Sequence, residues 1–94
     1  MQLRCIITGR VQGVMFRDFV QRKARNLSIS GTVKNQSDGS VEVVAQGEEK
    51  NLRKLLELLH KGPILTRMIN HIDSVRTEWI ESKKNFNNFK IIYE

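Results

Sequence analysis

Ninety-four residues, 39% hydrophobic and 28% charged, fit one soluble domain spanning 1–94 around one core and exclude a disordered chain. No apolar stretch approaches the ~18 residues that cross a bilayer, and no apolar leader follows Met1, so no membrane partner is expected. The net charge of +6 favours anionic partners without identifying one, because the basic residues are dispersed apart from Arg22-Lys23-Ala24-Arg25 and Lys83-Lys84.

Along the chain, Leu3, Cys5 and Ile7 alternate at strand period, and Gly9 ends that run. Phe16, Phe19, Val20, Ala24 and Leu27 then recur at helical spacing, which predicts an amphipathic helix over 16–27 with Asp18, Gln21, Arg22 and Arg25 on its wet face. A short second strand over 30–35 is followed by Asp38-Gly39, a hairpin-turn signal, and by a third strand carrying Val41, Val43 and Ala45. Glu48 and Glu49 suit a helix start, and the stripe Leu52, Leu55, Leu56 and Leu59 runs until Gly62-Pro63. A fourth strand over 72–80 and a terminal fifth with Phe89, Ile91 and Tyr93 complete the order. The pattern β-α-β-β-α-β plus a short strand predicts an α+β, ferredoxin-like sandwich, with two helices on one face of a mainly antiparallel sheet. Strands one and two are joined through a helix, so they should run parallel and end at the same sheet edge.

That edge is where the chain carries candidate chemistry. Gly9, Arg10, Val11, Gln12, Gly13, Val14, Met15 and Phe16 connect a strand to a helix start, and Arg17 follows in the first helical turn. Backbone N–H groups of such a loop can converge on an anion that also faces the positive helix end. The Arg17 fork can close on phosphate bidentately. By itself the loop is equally an ordinary glycine turn, since it has neither the Gly-Lys-Ser/Thr run nor the three spaced glycines of the common nucleotide loops.

A second segment alters that balance: Gly31, Thr32, Val33, Lys34 and Asn35, then Gly39, Val41 and Gly47. Together the two segments resemble the signature of the acylphosphatase family. The first fits G-x-V-Q-G-V-x-F-R at every fixed position, and the second fits G-aromatic-V-K-N-x-x-x-G-x-V-x-x-x-x-x-G except at Thr32. The resemblance implies hydrolysis of the carboxyl–phosphate bond of a small-molecule acyl phosphate. It further implies that Arg17 binds the phosphate and Asn35 positions the attacking water, with no metal, no other cofactor and no covalent intermediate. An amide suits that task, since it offers a donor and an acceptor together. Thr32 in place of an aromatic is expected to loosen packing near Asn35 or alter how bulky acyl groups are received. The connection over 64–71 is longer than the family's usual one.

Other residues point elsewhere only weakly. His60 and His71 stand too far from other ligands for a metal site, and Ser28 and Ser30 lack a His/Asp set. Cys5 sits on the apolar side of its strand as an inert thiol; as the lone cysteine it excludes an internal disulfide and fits a cytoplasmic setting. Trp79 and Tyr93 read as sheet-packing residues. The same element order also serves RNA-binding modules, but strands one and three contain no aromatic, so no nucleic-acid partner is expected. A phosphate-ligand module without turnover is the remaining alternative. Neither helix shows an apolar excess, which points to a monomer.

Overall fold

Alternation in the sequence becomes alternation in burial. In β1 (Gln2–Gly9), Leu3, Cys5 and Ile7 are fully buried, while the residues between them are partly exposed. A computed structural model describes residues 1–11, 14–62, 72–81 and 85–93, the side chain of Val14 aside. Gln12, Gly13, the 64–71 connection with its His71, Pro63 and Lys83-Lys84 lie outside the described residues.

The remaining elements are α1 (Val14–Asn26), β2 (Ser30–Asn35), β3 (Val41–Gln46), α2 (Glu49–Lys61), β4 (Ile72–Ile80) and β5 (Phe89–Ile92). They form a five-stranded sheet in the order β4-β1-β3-β2-β5 with the helices on one face. β3 pairs antiparallel with both β1 and β2, so β1 and β2 run parallel without touching, as a helical crossover requires. β5 adds to the far side of β2 in parallel. The C-terminal ends of β1, β2 and β5 therefore lie along a single edge.

Register fixes which side chains meet. Leu3, Cys5 and Ile7 face Ala45, Val43 and Val41, and Val33 stands opposite Val43, all on the helix side. Phe16, Val20 and Ala24 of α1 and Leu52, Leu55 and Leu59 of α2 close over them, each wholly buried. Each such leucine contributes about 1.5–3 kcal/mol through burial.

Helix ends show local adjustments that periodicity alone does not give. α1 starts at Val14, two residues before its first core residue, because Met15 points outward and leaves no mark in the apolar pattern. It ends in a Schellman closure, with the Ile29 amide donating to Ala24 O at 2.9 Å and the Ser28 amide to Arg25 O at 3.1 Å. Ser28 takes the left-handed position of that closure at φ 56°. The Asp38-Gly39 turn is tied by the Asp38 carboxylate, which accepts from the Ser40 amide at 2.9 Å and hydroxyl at 2.6 Å. These bonds hold the Asp38 carboxyl below the ordinary value of 3.8. No described helix is long and apolar enough to cross a membrane.

Candidate active site

The loop leaving β1 is fastened at two points. Val11 and Phe16 are both fully buried in the core. Gly9 supports that departure. Its φ of +121° is reserved for glycine, and the pairing with β4 slips between Thr8 and Gly9. Arg10 is exposed beside it, and Met15 is 60% exposed at the helix start. The side chains of Val11 and Phe16 both pack into the core.

Arg17 stands in the first turn of α1, which contains no acidic residue. A cation at the positive end of a helix is unfavourable by about 0.3–1 kcal/mol unless an anion joins it. Among the described residues no carboxylate does; the adjacent Asp18 faces Arg22 instead, at 3.9 Å. Arg17 Nε is buried and has no hydrogen-bond partner among the described residues.

Asn35 ends β2 opposite Val41, in the same alternation as the buried Val33, and so stands on the helix face of the sheet. Its Oδ1 is likewise buried and without a partner among the described residues. Each such atom costs about 1–3 kcal/mol, which a bound ligand or water would recover. A third, Gln2 Oε1, lies at the opposite end of β1, away from this edge. The edge thus combines a helix N-terminus, a guanidinium and an amide, the last two with unused polar atoms. Two surface hollows among the described residues lie elsewhere, one bordered by Arg25, Ser28 and Asn88 and one by Arg4, Asp38 and Arg76.

Two expectations are corrected. Thr32 pairs with Val44 and Lys90 between the inward-facing Gly31 and Val33, so it lies on the open face of the sheet, away from α1 and Asn35. Its exchange for an aromatic therefore removes nothing from the packing around Asn35. Tyr93 is not a packing residue: it follows the last pair of β5, is 69% exposed, and carries the Arg17 guanidinium 4.9 Å from its ring centroid. The sequence held a signal for this, since Phe89, Ile91 and Tyr93 alternate onto the helix face. Trp79 does pack against the core, with the Arg53 guanidinium over its ring at 5.0 Å. Cys5 is buried beside Thr77, and burial pushes its thiol from 9.0 up to about 11, which makes it a poor nucleophile.

The fold is an α+β sandwich whose parallel strands end at one edge, beside the first turn of α1. The chain belongs to the acylphosphatase family, whose model matches residues 3–91. It is 42% identical over 85 residues to an acylphosphatase of Salinibacter ruber, covering 90% of this chain and 85% of that one. An acylphosphatase of Clostridium acetobutylicum is 45% identical over 87 residues, covering 93% and 91%. The crystal structure of acylphosphatase from Bacillus subtilis superposes with a TM-score of 0.89 at 36% identity, covering 98% of both chains.

Proposed function

We propose that this chain hydrolyses small acyl phosphates without a metal, by in-line attack of a water held by Asn35 on a phosphoryl group held by Arg17 and the backbone N–H groups of 9–16. Membership of the acylphosphatase family supports the reaction. The observation that carries the mechanism is the pair of buried polar atoms, Arg17 Nε and Asn35 Oδ1, without partners among the described residues at the same edge.

The reaction asks little of a protein beyond placement. The leaving carboxylate needs no strong acid, and phosphoryl transfer is governed chiefly by positioning and charge stabilisation. Arg17 meets the phosphoryl oxygens with donors already in a plane, and the first turn of α1 adds its own partial charge. Asn35 accepts a hydrogen bond from the water and so points a lone pair at phosphorus. An amide is no base, so a phosphoryl oxygen takes the water's proton as the P–O bond forms. The bond to the acyl oxygen breaks, releasing carboxylate and inorganic phosphate. The lone buried cysteine is consistent with work in a reducing, cytoplasmic setting.

Hydrolysis of benzoyl phosphate in EDTA, with Arg17→Ala alongside, tests this reading. The expected result is turnover by the wild type that disappears in a variant with an unchanged circular dichroism spectrum. Turnover that required an added metal, or that survived in Arg17→Ala, would contradict it.

A further inference from the structure

Tyr93 is unusual in being large, apolar and exposed at the edge where the anion site lies. The residue is 69% exposed, yet its ring is not idle, because the Arg17 guanidinium sits over it. Its backbone position also matters. β2 and β5 run parallel with Lys34 opposite Ile92, and the next residues on the two strands are Asn35 and Tyr93. One residue therefore follows the last pair of the ladder, at the strand end that also carries Asn35, and lies under the guanidinium through its side chain. β5 is itself tied to α1, since Gln21 Nε2 donates to Phe89 O at 3.2 Å.

We propose that Tyr93 is a positioning residue of the phosphate site, holding the plane and direction of the Arg17 guanidinium relative to Asn35. The inference rests on the reading of Arg17 as the phosphate ligand. The chemistry of the contact favours it over an ion pair. An aromatic ring attracts the guanidinium through its quadrupole and brings no formal negative charge to it. A carboxylate partner would occupy two donors and neutralise the charge that phosphate needs. A ring leaves that charge intact while restricting a long, flexible side chain that otherwise loses rotamer freedom when the anion binds. Because phosphate is held in ground and transition states alike, looseness in Arg17 weakens binding more than the chemical step.

The test is titration calorimetry with inorganic phosphate on the wild type, Tyr93→Phe, Tyr93→Ala and Arg17→Ala, with benzoyl phosphate kinetics on the same proteins. Tyr93→Ala is expected to weaken phosphate binding and raise KM roughly 3–10-fold, the scale of one cation–π contact, with kcat changed less. Tyr93→Phe is expected to restore both, since the ring and not the hydroxyl makes the contact. The exposed position keeps the core unaltered, so denaturation midpoints should agree among the Tyr93 variants. Unchanged phosphate affinity in Tyr93→Ala, or a Phe variant as impaired as Ala, would overturn the proposal. Arg17→Ala binding phosphate as tightly as wild type would overturn the reading beneath it as well. Absence of benzoyl phosphate turnover, with the phosphate titrations behaving as expected, would remove the proposed reaction and leave Tyr93 in its role.

Discussion

A β-carbon added to Gly31 would lie 1.8 Å from the carbonyl oxygen of Val44, on the neighbouring strand β3. Gly31 also holds φ at +142°, where side chains are strained, and its amide donates to Asn88 O at 2.9 Å. Backbone atoms cannot swing aside as a side-chain tip does. Gly31→Ala should therefore destabilise the fold by about 3 kcal/mol or more, through strain and displacement of β2. Urea denaturation measures this, and because β2 carries Asn35, residual folded protein should also lose activity.

Ser28 offers the opposite case. It occupies the left-handed position of the α1 closure at φ 56°, which costs a side-chain-bearing residue energy that glycine avoids. Ser28→Gly should stabilise the protein by about 0.5–1 kcal/mol after the entropy of glycine is deducted. A higher thermal midpoint with unchanged benzoyl phosphate kinetics is the expected outcome.

Thr32 tests the separation of the two sheet faces. It stands between Val44 and Lys90 on the open face, opposite in direction to Asn35 and Val33. Thr32→Tyr, which restores an aromatic there, should leave kcat and KM for benzoyl and acetyl phosphate unchanged within about twofold. A changed ratio between the two substrates would mean that the open face communicates with the site.

Cys5 gives a pH signature. Its thiol ionises near the ordinary 9.0 in the unfolded chain and at about 11 when buried. Between those values the unfolded state has released a proton that the folded state keeps, so raising the pH favours unfolding. The stability contributed by a neutral buried thiol is complete below about 9 and is lost progressively towards about 11. The stability gap between wild type and Cys5→Ala should shift against the wild type across that window, by at most ~2–3 kcal/mol. A gap constant with pH would contradict it.

The sequence was most legible where one local rule decides the outcome. Alternation at Leu3, Cys5 and Ile7 fixed a strand and its buried face, and the crossover through α1 implied that the ends of β1 and β2 share an edge. The ends of those strands carry the start of α1 with Arg17 and the last residue of β2, Asn35. The start of α1 was less legible because Met15 faces outward and leaves no trace in the apolar period. Tyr93 was missed for a deeper reason: alternation gives the face of a residue but not whether anything covers it. Phe89 and Ile91 of the same face are covered, whereas Tyr93 lies past the end of β5, and periodicity does not encode where the covering elements stop. Thr32 was misplaced by considering residue type without its parity against Val33 and Asn35.

The proposed division of labour, with Arg17 holding the phosphate and Asn35 the water, is tested most directly by steady-state kinetics of Asn35→Ala with benzoyl phosphate. Loss of a water-positioning amide should lower kcat about 10²–10³-fold while KM stays within a few-fold, because the phosphate remains held by Arg17 and the loop. A variant that kept kcat and mainly raised KM would show Asn35 binding substrate, and the water-positioning role would be wrong.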